Sequence, residues 1–422
     1  MILNLSYKQL NPLNIFWFGF GIYTLSFVLS KTGHVNLSIC KLIEIIGLVL
    51  FVPTGIILTK FRIKNSYLRI IFTLYCLWLL SVISRGIHFD YVSLNLMLSD
   101  ADYGIFIYFA PFLLLFPNDF TFYRRIFDVI IILGIFFLIY DLLFVKEMLD
   151  RSGETQDFIE HFSKSLSIPC AFILLTYKYH SNKRILLALG IIILSLLFSI
   201  YKARRGLSSI ILAFSIASYL LYLFNTRRKL LVLYLSFLFI ILGAFYYSNL
   251  YHVKKNSLLS LIAERGNDDT RTVVELFFYG DMKDKDIILG KGINGEYFCP
   301  DCEEDQETNY RSYIETGYLQ IILKGGIIML GLYLLIALPA IILGLFYSRN
   351  SLAKASSVWI LISLLSLYPA TVNTFSLAFL LVWMSIGICY NKKLRNLSDI
   401  DIKQFLQDPL YTERNNIVLD LK

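Results

Sequence analysis

Apolar runs of about twenty residues recur along most of the chain, and this feature restricts its fold more than any other. The chain has 422 residues, of which 57% are hydrophobic and 17% charged, and its mean hydropathy is +0.63. Soluble domains usually carry about a quarter charged residues. About twenty apolar residues are enough for a helix to cross roughly 30 Å of hydrocarbon. The sequence therefore predicts an all-α, polytopic membrane protein.

The runs predict about twelve transmembrane helices. In a bilayer the backbone must satisfy its own hydrogen bonds, and the period-2 alternation of barrel strands is absent, so we expect helices. The first run has full spanning length and no small-residue cleavage site after it, so we expect no cleavable signal peptide. The expected spans are residues 12–30, 37–59, 67–84, 101–117, 125–145, 165–181, 184–201, 206–224, 229–250, 313–347, 355–373 and 375–391.

Basic residues recur in every second gap between spans, which places those gaps in the cytoplasm. The net charge of +8 mostly reflects these loops, so it does not indicate nucleic-acid binding. The chain then divides into four parts. These are spans one to nine (1–250), a large outward loop (251–312), spans ten to twelve (313–391) and a cytoplasmic tail (392–422) with a short surface helix around Asp399–Leu406.

One outward gap breaks the charge rule, because Lys202, Arg204 and Arg205 lie between spans seven and eight. One interpretation is that these side chains extend to lipid head groups from two helix ends. The other is an anion site, because Gly206 opens the next helix and free N–H groups would lie beside the guanidinium groups.

The large loop contains two cysteines, Cys299 and Cys302, on the side expected to be oxidising, so we expect a disulfide between them. The acidic run Glu296–Glu307 is expected to be a solvated surface. A divalent-cation site is the alternative, but the spacing matches no calcium loop, and we expect no metal site. The remaining cysteines lie in apolar runs and are expected to pack inertly: Cys40, Cys76, Cys170 and Cys389.

The same loop contains two further elements. A helix is expected to start at Asp269 or Thr270 and to end at Gly280, with Arg271 in its first turn, where a cation opposes the helix dipole and so indicates a partner. The sequence Gly290–Gly295 predicts a tight turn rather than a phosphate-binding loop.

Span ten is too long for one straight crossing, and Gly325–Gly326 predicts a kink in it. Glu315 and Tyr318 precede that kink and would lie at the outer mouth of the bundle. Glu315 is either a partly desolvated carboxylate beside the arginines or a favourable charge in the first helical turn.

Arginines at a membrane boundary suit a lipid pyrophosphate, because guanidinium binds phosphate oxygens bidentately and stays charged. A desolvated carboxylate suits removal of a proton from a sugar hydroxyl. Together they predict sugar transfer from a polyprenyl-pyrophosphate donor. In that reaction the arginines stand in for a metal.

The order of these elements resembles that of the O-antigen polymerase and O-antigen ligase superfamily of bacterial membrane glycosyltransferases. The resemblance covers roughly residues 200–345. It consists of Arg204-Arg205-Gly206 opening a helix, Arg271 in the loop, the turn Gly290-Lys291-Gly292, and Glu315-Thr316-Gly317-Tyr318-Leu319-Gln320 before a glycine-rich span. The family's ligases have His where this chain has Glu315, which favours a polymerase and weakens the assignment of the base.

The resemblance implies an inverting, metal-independent transferase of the glycosyltransferase C type, without a cofactor, in the bacterial inner membrane with its active site on the periplasmic side. It would polymerise O-antigen or capsule repeat units by moving a glycan from undecaprenyl pyrophosphate onto a second lipid-linked unit. A chain-length regulator is a further expected partner. The catalytic residues would be Arg205, Arg271 and Glu315, with substrate contacts from Lys202, Arg204, Arg265, Arg311 and Tyr318.

Two other functions stay open at this point. A ligase would place finished glycan on the lipid A core of lipopolysaccharide and differs in the acceptor. A flippase for lipid-linked sugars would need polar residues across the bundle midplane, and acidic candidates for this are few and scattered: Glu44, Asp128 and Asp141.

Overall fold

Among the residues that the structure, a computed structural model, describes, about 80% are helical and almost none lie in strands. It describes residues 11–61, 63–87, 97–98, 104–149, 153–202, 204–225, 270–300, 309–368 and 374–407, with backbone alone at 153–157, 225, 270 and 271.

The first half of the described chain is a series of helices joined by short connections. They are α1 (Pro12–Ser30), α2 (Leu37–Leu58), α3 (Ser66–Ser84), α4 (Phe106–Phe109) with a 3-10 turn (Ala110–Leu115), α5 (Phe120–Leu143), α6 (Val145–Leu149), α7 (Gly153–Phe162) with a π turn (Ser163–Ser167), α8 (Cys170–Leu175) with a 3-10 turn (Tyr177–Tyr179), α9 (Asn182–Tyr201) and α10 (Arg205–Asn225).

The second half adds a small hairpin and the last helices. They are α11 (Thr270–Asp281), α12 (Asp284–Leu289), β1 (Tyr297–Phe298), β2 (Tyr310–Arg311), α13 (Gly317–Phe346), α14 (Ser351–Leu365), α15 (Leu377–Tyr390), α16 (Lys392–Asn396) and α17 (Asp399–Gln407). The two strands pair antiparallel, with Tyr297 opposite Arg311.

Short polar side chains define where many of these helices begin. Asn11, Asn36 and Asn65 accept hydrogen bonds from backbone N–H groups in the first turns of α1, α2 and α3. Asp119 does the same for α5, and Ser376 does so for α15. These caps satisfy N–H groups that have no partner within the helix.

Eight described helices are long and apolar enough to cross a membrane, which supports a multi-pass membrane protein. Three shorter apolar helices, Phe106–Leu115, Ser351–Leu365 and Leu377–Tyr390, coincide with expected spans four, eleven and twelve. Expected span nine (229–250) lies outside the described residues. The total of twelve therefore stays a prediction.

The two ends of the helical bundle differ, and each is defined by what packs on it. At the end called here the tail end, α17 rests on the bundle: Asp399 bonds Lys178 and Ser351, and the ring of Phe405 stacks on Phe120 at 4.8 Å. The expected helix at Asp399–Leu406 is confirmed as Asp399–Gln407. The opposite end, called the loop end, carries α11, α12 and the hairpin.

Candidate functional site

The helix α13 is broken at Gly326, which has φ 69° and ψ 179°, and this confirms the expected kink. A break frees backbone carbonyls that need partners inside a bundle. The carbonyl of Leu323 accepts from the N–H of Lys291 at 2.7 Å, and that of Lys324 accepts from the N–H of Gly292 at 2.9 Å. The carbonyl of Gly325 accepts from Nε1 of Trp78 at 2.7 Å. The kink is therefore a fully bonded feature of the loop end.

The turn at Gly290–Gly295 is what covers this kink. Gly290 and Gly292 both have positive φ, which glycine adopts without strain. A Cβ on Gly290 would lie 2.4 Å from the Lys324 carbonyl oxygen, so the two backbones touch. The tight turn expected here is present, and its N–H groups bind helix carbonyls.

The end of α3 holds the same turn from the other side. The guanidinium of Arg85 donates to the carbonyls of Gly290 at 3.0 Å and Leu289 at 2.8 Å. The side-chain amide of Asn294 donates to the Gly86 carbonyl at 2.7 Å. The loop end is thus tied to two helices of the bundle through backbone groups.

A small apolar core then places α11 against the first turns of α13. It contains buried Phe278 of α11, Tyr297 of β1, and Leu319 and Leu323 of α13. Buried Cys299 belongs to the same core. The helix expected after Asp269 is present, running from Thr270 to Asp281, so the segment carrying Arg271 meets the segment that follows Glu315.

Aromatic rings and a carboxylate line the surface where these segments meet. The rings of Tyr318 and Tyr368 are parallel within 8°, with centroids 6.4 Å apart. Glu275 and Tyr279 lie close enough to Tyr318 to interact with its hydroxyl electrostatically. Tyr368 is 67% exposed and Tyr279 55% exposed. An exposed set of rings beside a carboxylate has the composition of a site for a polar, ring-shaped ligand such as a sugar.

Glu275 also fixes the backbone next to Glu315. The hydroxyl of buried Thr316 donates to the Glu275 carboxylate at 2.6 Å and makes no cap to its own helix. The N–H of Gly317 donates to the Leu367 carbonyl at 2.7 Å. Glu315 itself is exposed and lies before the first turn of α13, so neither the desolvation nor the first-turn position expected from sequence is found.

Cationic side chains form a second cluster at the loop end, around Glu160. Lys164 pairs with Glu160 at 2.5 Å, and Arg204 lies 3.8 Å from its other oxygen. Lys202 is buried and donates to the Glu147 carbonyl at 3.3 Å. Arg205 is exposed and opens α10. This cluster, here called the cation cluster, comprises Lys164, Lys202, Arg204 and Arg205, whose cationic groups could bind an anion.

The ends of α14 and α15 lie between the two clusters. Lys164 lines a small cavity together with Ser366 and Thr374, just beyond those helix ends. The carbonyl of Leu367, one residue further on, holds the start of α13. The cation cluster and the Glu315–Tyr318 segment are therefore on the same end of the bundle, as the sequence predicted.

Other expected site residues do not join either cluster or fall outside the description. Arg311 is buried in the hairpin with its guanidinium 4.1 Å from the Tyr313 ring centre. Arg265 and Cys302 lie outside the described residues, as does the side chain of Arg271. Cys299 is disulfide-bonded, and the expected pairing with Cys302 stays a prediction.

The other described cysteines lie in helices of the bundle. Cys40, Cys76, Cys170 and Cys389 are free and buried, which confirms their expected packing role. Within the described ranges, no group of three or more His, Cys, Asp and Glu side chains could hold a metal ion.

Sequence reasoning missed Glu275, Tyr368 and Lys164. Glu275 interrupts the apolar stripe of α11 one helical turn after Arg271, and that spacing was the available signal. Lys164 lies one residue before the expected start of span six.

Comparison of the chain with protein-family models, with curated proteins and with solved structures finds no match. The resemblance to the polymerase and ligase superfamily thus depends on the order and spacing of motifs in this chain alone.

Proposed function

We propose that this protein is a polysaccharide polymerase of the inner membrane that transfers a glycan from undecaprenyl pyrophosphate to the terminal sugar of a second lipid-linked repeat unit. The observation that carries the proposal is the placement of the cation cluster and the Glu315–Tyr318 segment on one end of the bundle. That end would be periplasmic.

In the proposed reaction the cations hold the donor's pyrophosphate. Arg205 is exposed and is the first residue of α10, and both a guanidinium and the N–H groups of a helix start favour phosphate oxygens. Arg204 and Lys164 both lie beside the carboxylate of Glu160, next to the start of α10. Fixed positive charge stabilises the negative charge that builds up on the leaving pyrophosphate.

The acceptor sugar would sit on the rings of Tyr318 and Tyr368. Its hydroxyl oxygen attacks the anomeric carbon of the donor sugar, and Glu315 takes the hydroxyl proton. The bond from that carbon to the pyrophosphate oxygen breaks, and its electron pair leaves on the pyrophosphate. The configuration at the anomeric carbon is inverted. Glu275 positions Glu315 through Thr316.

The decisive experiment is elongation of a defined lipid-linked repeat unit by the purified full-length protein in detergent. Arg205→Ala and Arg271→Ala should each lower the elongation rate by about 100- to 1,000-fold, the cost of losing one donor to developing negative charge. Lys285→Ala, an exposed cation on α12, is the matched control and should retain the wild-type rate.

Other outcomes would change the assignment. Wild-type chain lengths from both arginine variants would exclude the pyrophosphate site described above. Transfer of finished glycan to a lipid core, without elongation, would indicate a ligase. Elongation without a sealed vesicle would exclude transport as the sole activity.

A further inference from the structure

An apolar cavity of about 380 Å³ lies beside α1 and α2. Its walls come from α1, α2, the α4 segment and the start of α15. Phenylalanine rings supply most of the lining, including Phe16, Phe51, Phe106 and Phe375. These rings contact one another edge to face or nearly parallel, with Phe51 5.6 Å from Phe106 and 5.8 Å from Phe375. The walls are therefore a packed aromatic surface.

The lining offers a ligand almost no hydrogen-bonding group. Thr59 carries the one hydroxyl of the lining, and this hydroxyl already donates to the Gly55 carbonyl at 2.8 Å. Water in a protein cavity needs two to four polar partners, which this lining does not supply. An empty space of this size would also deprive the lining of its dispersion contacts. The cavity consequently favours an apolar occupant.

The cavity opens towards the outer surface of the bundle. Ile56 and Phe109 line it and are 71% and 42% exposed, so a gap between α2 and α4 reaches the surface that faces lipid in a multi-pass protein.

The cavity extends along α2. The lining residues of α2 run from Phe51 to Thr59, which at the rise of an α-helix is about 12 Å along the helix axis. Gly55 lies midway, and a Cβ there would stand 3.3 Å from the Phe16 ring. The absence of a side chain at Gly55 therefore keeps the middle of the cavity open.

We propose that this cavity binds one hydrocarbon chain that enters sideways from the membrane. The chemistry fits the straight acyl chain of a membrane lipid and the branched chain of an isoprenoid. The inference concerns the α1–α2 side and does not depend on the proposed transfer reaction.

The test is photolabelling of the full-length protein in nanodiscs of dioleoylphosphatidylcholine. One arm uses diazirine-bearing palmitic acid and the other diazirine-bearing farnesol, and labelled peptides are mapped by mass spectrometry. Labels should concentrate in residues 51–59 and 106–116 and should be displaced by an excess of the same unlabelled chain. The arm with the stronger displaceable labelling identifies the kind of chain.

Gly55→Trp fills the middle of the cavity. It should reduce labelling about tenfold, because excluding even two methylenes from an apolar site weakens binding by that factor. Ile57→Trp places the same ring on the lipid-facing side of the same helix, where Ile57 is 63% exposed, and should leave labelling unchanged. Gly55→Leu is the smaller plug to use if the larger one prevents folding.

Labels spread evenly over lipid-facing helices, labels that unlabelled chain does not displace, or equal labelling of the folded Gly55 variants and wild type would each overturn the proposal. Displaceable labelling that only the Gly55 variants lose would support it, whether or not the protein elongates glycans.

Discussion

The two ends of the bundle satisfy their polar groups in different ways. At the tail end, Asp399 accepts from Nζ of Lys178 at 2.7 Å, from the hydroxyl of Tyr179 at 2.6 Å and from the N–H of Ser351 at 2.6 Å. The Asn350 amide donates to the carbonyl oxygens of Leu394 and Leu397. These groups bond one another across helices that are far apart in sequence.

At the loop end, backbone groups around the kink are also hydrogen-bonded, but several side chains are exposed. Arg205, Glu315, Tyr279 and Tyr368 are exposed beside a tightly fixed backbone. A rigid backbone that presents exposed polar and aromatic side chains is the arrangement expected of a binding site. The contrast indicates that the tail end serves stability and that the loop end is free to serve ligands.

The largest expected effect is on the elongation rate and comes from a substitution at the loop end that should leave the protein folded. Glu315→Gln should lower the elongation rate by about 100- to 10,000-fold, the range for loss of a general base, and should leave donor binding and thermal stability unchanged. Single-turnover elongation and donor binding in detergent measure the two effects separately.

Glu275→Gln is the matched comparison for that variant. It keeps an oxygen that can accept from the Thr316 hydroxyl and should cost less than about tenfold. An unchanged polymer yield from Glu315→Gln would make that carboxylate structural, and a larger loss from Glu275→Gln would transfer the role of base to Glu275.

A smaller effect is expected at the tail end, on stability alone. Asp399→Ala removes the acceptor of four hydrogen bonds, one of them from a charged lysine, and should destabilise the protein by about 2–3 kcal/mol. Thermal unfolding in detergent measures it. Lys403→Ala, on the exposed side of the same helix, is the control. A loss of elongation in folded Asp399→Ala would contradict the division of roles between the two ends.

The smallest effect is a pH dependence at the tail end. Burial, and secondarily the charge of Arg184, lower the pKa of His180 from 6.5 to about 3. At low pH the unfolded chain therefore binds a proton on His180 that the folded protein does not bind. The contribution of His180 to stability is fully present above pH 6.5 and is lost as the pH falls from 6.5 towards 3.

Between pH 6.5 and 5 this loss is at most about 2 kcal/mol, since one pKa unit corresponds to 1.36 kcal/mol. His180→Gln should make the free energy of unfolding less dependent on pH in this range and leave its pH dependence unchanged above pH 6.5. If the variant lost stability with the same slope as wild type, another group would be responsible. Asp399 affects stability in a lower pH range. Burial raises its pKa, but hydrogen bonds from Lys178, Ser351 and Tyr179 hold the pKa below 3.8.

Local features of this fold could be predicted from sequence because they depend on neighbouring residues. The apolar runs became helices, Gly326 became the kink, and the tail helix lies at 399–407. The alternation of basic loops, which is also a local property, predicted that Arg204 and the Glu315 segment lie at the same end of the bundle.

The contacts that build the site could not be predicted, because they join distant residues. Asp399 and Lys178 are 221 positions apart, and Thr316 and Glu275 are 41 apart. Glu275 was hidden within an apolar stripe. The exposure of Glu315 also depends on where α13 begins, which the Gly317 bond to Leu367 decides.

The meeting of Gly290 and Gly326 has a practical consequence for mutagenesis. A methyl group on Gly326 would lie 2.0 Å from the Ile288 carbonyl oxygen, so the smallest possible side chain would force the end of α12 away from α13. In an alanine scan of this region, the most damaging substitutions would be at these glycines, where alanine adds a methyl group.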